Sequence, residues 1–127
     1  MRIHRDTDLK MSWLMSLDSL LEFSSDTRHS EIVRRLFSNI ITEQNFPNPG
    51  KDSTSVDLLI ELIDVPDEKE ELMGLSIIRN LLKWSWGFQA FFANERARKY
   101  LLIRRPKSQV LAISQYEAVK VANQTNS

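Results

Sequence analysis

Residues 57–82 read DLLIELIDVPDEKEELMGLSIIRNLL, and the order of elements in that stretch decides the fold. Val56, Leu58, Leu59, Leu62 and Ile63 recur at helical spacing and predict a short helix, with Thr54 or Ser55 as its cap. Asp64-Val65-Pro66 then turns a tight corner, and Pro66 suits the first turn of a helix, where no N–H is needed. Asp67, Glu68, Glu70 and Glu71 follow, matching the positive end of a helix dipole. Leu72, Met73, Leu75, Ile77, Ile78, Leu81 and Leu82 cover much of that longer helix, so it is expected to be buried on more than one side.

The same order returns downstream. Leu101-Leu102-Ile103 close a helix capped by Asn94 and carrying Ala97 and Tyr100, Pro106 turns the chain and starts a last helix, and Ala112, Ile113, Tyr116 and Val119 are expected to share one face of it. The offset is 43 residues at Leu58/Leu101 and 39 at Leu72/Leu111. A unit of short helix, corner and long helix near a period of roughly 40–47 residues is the unit of HEAT and armadillo solenoids. Upstream, Leu9, Trp13, Leu14, Leu17, Leu20 and Leu21 mark one helix, with Asp6 and Asp8 at its start, and Ser24–Thr27 marks a break. Ile32, Val33, Leu36, Phe37, Ile40 and Ile41 are the expected inner face of a second helix. Residues 45–55 (NFPNPGKDSTS) have no periodicity. The chain thus reads as all-α with about six helices: a helical hairpin over 1–45, a linker over 46–55 and HEAT/armadillo-like repeats over 56–127, ending in a polar tail expected to fray.

Composition narrows the classes. The 127 residues include 42% apolar side chains, no Cys, 3 Gly and 4 Pro, which suits a helical core without disulfides or thiolate chemistry. No apolar run approaches the roughly 20 residues of a membrane span, and the start lacks the apolar stretch of a signal peptide. Seventeen basic residues balance seventeen acidic ones. The charge is nevertheless segregated, with a balance of −7 over residues 1–78 and +7 over 79–127.

No residue set calls for an enzyme. There is no G-x-S-x-G, Gly-rich phosphate loop or H-E-x-x-H pattern, and His4 and His29 lack partners at ligand spacing. The acids from Asp64 to Glu71 lack the alternation and glycine of a calcium loop. No catalytic residue, cofactor, metal or small-molecule substrate is therefore expected. The basic residues Arg96, Arg98, Lys99, Arg104, Arg105 and Lys107 suggest a docking surface for an acidic partner, or a solvated face complementing the acidic half. Arg79, Lys83 and Lys120 are added because the second helix of each repeat pair commonly lines the concave face. Trp84 to Phe92 (WSWGFQAFF) packs five aromatics into nine residues. Most suit a core, and Trp86 is the interface candidate because a helix would turn it away from Trp84.

The stretches ELMGLSIIRNLLKWSWGFQAFFANERARKYLL (71–102) and QYEAVKVAN (115–123), with Met11-Ser12-Trp13-Leu14 and Leu17 upstream, resemble the C-terminal repeats of the proteasome non-ATPase regulatory subunit 5 family. That resemblance implies an all-helical HEAT/armadillo-type solenoid that acts as a chaperone in assembly of the proteasome regulatory particle base, in the cytoplasm or nucleus. It implies binding to an ATPase-ring subunit and steric obstruction of docking on the core particle, with no catalysis and no membrane. Family members are several times longer, and the linker has no clear counterpart in them. The alternatives are a structural cap of a larger solenoid without its own binding site, and a small helical nucleic-acid binder using Arg96 to Lys107.

Overall fold

The computed structural model describes residues 7–22, 27–45 and 55–126. Among these residues the chain forms seven α-helices and one short 3-10 turn, with no strand. They are α1 (Thr7–Glu22), α2 (Ser30–Asn45), α3 (Ser55–Ile63), α4 (Glu68–Leu82), α5 (Ser85–Phe92), α6 (Glu95–Leu102) and α7 (Gln109–Asn126). The helix not foreseen is α5, which takes up the aromatic run. Ser55, placed at the end of the expected linker, already begins α3, and residues 46–54 lie outside the described residues.

Local chemistry explains the starts. Asp67 stands before α4 in extended conformation and its carboxylate accepts the Glu70 N–H at 3.1 Å. Asn94 caps α6 in the same way, accepting from Ala97 N at 3.0 Å. Ser108 precedes α7 as its cap, its hydroxyl accepting from Leu111 N at 3.2 Å. Pro66 and Pro106 both lie in the corners ahead of these caps rather than inside the helices. Proline suits both places, because neither position donates an N–H to a helix.

The helices form two rows. In one, α4 lies between α1 and α7; in the other, α3 lies between α2 and α6. The pair α3–α4 therefore stacks on the pair α6–α7 in matching order. The first hairpin enters reversed, its leading helix α1 joining the row of α4 and its second helix α2 the row of α3. Leu14, Leu17 and Leu21 of α1, Leu59, Ile60 and Ile63 of α3, Ile77, Ile78 and Leu81 of α4, and Phe91 and Leu101 are essentially solvent-free. Each such side chain contributes about 1.5–3 kcal/mol through removal from water. The circumference of α4 is buried on several sides, as its sequence implied.

Apolar positions on three helices prove exposed. On α2, Val33 and Phe37 point inward while Ile32 is 58% exposed and Leu36 is exposed too; the side chains of Ile40 and Ile41 lie outside the described residues. On α6, Leu102 and Ile103 face solvent. On α7 the buried line is Leu111, Ala118 and Ala122, with Tyr116 66% exposed and Ile113 exposed. Two small alanines let α7 approach α4 closely, which outweighs the larger apolar area on the opposite stripe. The tail is also helical to Asn126, and Thr125 Oγ1 donates to Leu82 O at 2.7 Å.

Candidate functional site

The acidic first turn of α4 is the hub of the charged contacts. Glu70 meets Lys10 of α1, Nζ to Oε1 2.6 Å, with the two side chains 9% and 5% exposed. Glu71 lies 3.2 Å from Arg104 Nη2, and Arg104 also pairs with Asp64 in the corner after α3. Glu68 Oε2 accepts from the Ser108 hydroxyl at 2.7 Å. The acids therefore fasten α4 to α1 and to the corner between α6 and α7, a role beyond dipole compensation. Among the described residues no group of three or more His, Cys, Asp or Glu side chains could hold a metal; His4 lies outside them.

Arg104 also stacks over the Tyr100 ring, 4.7 Å from its centroid. Burial pushes the Tyr100 hydroxyl up to about 12, Arg104 opposes that rise, and Glu71 and Asp64 add to it. For Arg104, burial alone would lower the pKa, and the Asp64 hydrogen bond with the fields of Tyr100, Glu71 and Asp64 raises it instead. Arg104 thus holds the α3–α4 corner to the α6–α7 corner.

The remaining basic candidates divide. Arg79 Nη1 lies 3.7 Å from Glu117 on α7, Arg98 donates to Phe92 O, and Lys99 pairs with Glu95 within α6 at 3.3 Å. Lys83, Arg96, Arg105, Lys107 and Lys120 are exposed and form no ion pair among the described residues. Of these, Arg105 and Lys107 share the non-helical corner before α7. The charge asymmetry of the sequence is thus partly consumed inside the molecule, and five cations are left facing water.

Trp84 and Trp86 do not point apart. Trp84 is extended and precedes α5, so helical geometry does not separate the two, and their ring centroids lie 6.2 Å apart. Trp84 is buried and its Nε1 donates to Leu21 O at 2.9 Å, fixing the end of α1. Trp86 is half-buried and lies 5.8 Å from Phe37 of α2. Together they wall an open groove of about 480 Å³ between α2, α3 and α5, rimmed by Arg34, Ser38, Gln89 and Ala90. Phe37 and Arg34 were legible only as an inward and an outward position on α2; nothing local linked them to Trp86, about fifty positions downstream. The groove joins an aromatic wall to polar and cationic edges.

No protein-family model, curated protein or solved structure matches the chain. No helix among the described residues is long and apolar enough to cross a membrane.

Proposed function

We propose that the chain is a protein-binding segment of HEAT/armadillo-like repeats that serves in assembly of the proteasome regulatory particle base by engaging an ATPase subunit. The reading is carried by the sequence stretches 71–102 and 115–123, which span α4 to α6 and the middle of α7. The repeat part draws support from the stacking of α3–α4 on α6–α7 in the same order. The reversed order of α1 and α2 departs from regular repeats, so the repeat reading applies to residues 55–126. Recognition would fall on the exposed cations Arg105 and Lys107 and on the Trp86 groove, and obstruction of the ATPase ring would follow from bulk alone.

The test is capture of purified proteasome ATPase subunits by the tagged chain, after circular dichroism shows helix. Retention of one subunit, weakened by Arg105→Glu with Lys107→Glu, supports the proposal. Arg104→Glu is the wrong probe, since Arg104 holds Asp64 and Glu71. A folded chain that retains no subunit refutes the binding role. It would favour a structural role within a larger solenoid, where a further repeat could cover the exposed line of Val110, Ile113 and Tyr116 on α7, since a terminal cap carries a polar outer face. Salt-sensitive retention of RNA or DNA would instead favour a nucleic-acid binder.

A further inference from the structure

The chain contains two stretches of the form Arg-Arg-x-x-Ser, RRLFS at 34–38 and RRPKS at 104–108. Basic residues three and four positions before a serine are a charge pattern that protein kinases with acidic substrate grooves select. Such a groove takes the acceptor in an extended segment, because the arginine must reach one pocket while the hydroxyl reaches the nucleotide. The structure separates the two copies on that criterion. Ser38 lies inside α2, directly after the buried Phe37. To extend residues 34–38 the helix would have to unwind and expose that core ring.

Ser108 lies in the non-helical corner between α6 and α7, and Arg105, Pro106 and Lys107 before it are all exposed. Pro106 disfavours helical backbone at Arg105, which keeps the segment open. Arg104 is occupied by Asp64 and Glu71, so Arg105 is the arginine left for recognition. The Ser108 hydroxyl donates to Glu68 Oε2 at 2.7 Å and accepts from Leu111 N at 3.2 Å.

We propose that Ser108 is a phosphorylation site for a basic-directed serine kinase, and that the phosphate unfastens the α6–α7 corner from α4. Ser108 Oγ attacks the γ-phosphorus of ATP; the Oγ–P bond forms, the bond to the leaving ADP oxygen breaks, and the hydroxyl proton passes to the kinase's base. The product has no proton to give Glu68, and it adds roughly 1.5 to 2 negative charges beside that carboxylate. Its oxygens still accept from the first amides of α7, so the helix start survives while the link to α4 becomes repulsive.

The experiment incubates the full folded chain with ATP and the purified catalytic domain of a kinase selective for arginine at the third position before serine. Mass spectrometry then locates the phosphate. Incorporation at Ser108 is expected, absent in Ser108→Ala and slowed about tenfold or more in Arg105→Ala. Ser38 should accept phosphate in a peptide covering 32–42 and remain unmodified in the folded chain. Incorporation at Ser38 in the folded chain, or none at Ser108 while a peptide covering 102–112 is modified, overturns the site. So does failure of that peptide itself. For the second half, phosphorylation should lower the folded-to-unfolded ratio about tenfold more in the wild-type chain than in Glu68→Gln. Equal effects in the two backgrounds overturn the unfastening.

Discussion

Lys10 on α1 and Glu70 on α4 form an ion pair with both side chains nearly removed from water, in an alignment outside that of a hydrogen bond. Removing two charges from water is costly, and the pair offsets that cost only while both members are present. Lys10→Met should therefore destabilise the chain by about 3–5 kcal/mol, since it leaves Glu70 buried and unpaired. Lys10→Met with Glu70→Leu should recover most of that loss. Urea unfolding of the three chains checks both statements, and a double variant as weak as the single one would contradict them.

Asp18 presents a second polar tie between the same helices. Its Oδ1 accepts from Asn80 Nδ2 at 2.8 Å and from Ser76 Oγ at 3.0 Å, and Asn80 is fully buried. Asp18→Ala should strand both donors and cost about 1–3 kcal/mol. Asp18→Asn, which keeps an acceptor oxygen, should cost less.

Tyr100 makes stability depend on alkaline pH. Its folded pKa is raised from 10.0 to about 12. Between those values the unfolded tyrosine loses its proton while the folded one keeps it, so stability present below pH 10 is lost as pH rises. The slope for this group is about 1.4 kcal/mol per pH unit. Tyr100→Phe should flatten the decline in unfolding free energy over that window and delete the high-pH component of the phenolate absorbance titration.

Gly87 lets α5 lie against the end of α4. A Cβ there would collide with the Leu81 carbonyl oxygen, a backbone atom with no room to retreat. Gly87→Ala should cost about 1–3 kcal/mol, and more than its favourable helix propensity returns. Gly74→Ala is predicted to be milder, because its nearest neighbours, 2.8 Å away, belong to the Ile63 side chain. Thermal unfolding of the two variants side by side tests the order.

What could be read from sequence was mostly what neighbouring residues decide. Asn94 announces its helix because the cap and the amide it serves are three positions apart. The α7 face could not be read in the same way. Its helix carries two apolar lines, and the smaller line is buried because α4 comes close enough to favour alanine. The run 84–92 concealed a helix because aromatic residues signal burial more strongly than they signal conformation. For the candidate site, Trp86 was identifiable by type, while its Phe37 partner depended on the packing of α5 against an element from the other end of the chain. Arg104 stood out as one cation in a cluster, yet only the corner geometry shows that it has two internal carboxylate partners.

The reversed entry of the first hairpin bears on the order of assembly. Ties between the two later pairs join residues 33 to 43 apart, as in Arg104 to Glu71 and Thr125 to Leu82, whereas α1 reaches α4 and the residue before α5 across 58 to 63 residues, from Asp18 to Ser76 and from Leu21 to Trp84. The wider loop carries a closure entropy larger by only about 0.4 kcal/mol, so a later docking of α1 is an expectation, tested by comparing amide exchange along α1 with that along α4. Opening is then expected to run in the opposite sense, with the amides of α1 exchanging ahead of those of α4. Among the groups it would uncover on α4 are Glu70, Ser76 and Asn80, polar side chains that water can satisfy. Detachment also bares Leu14, Leu17 and Leu21, so the opened form would pair a partly polar surface on α4 with a leucine seam on α1.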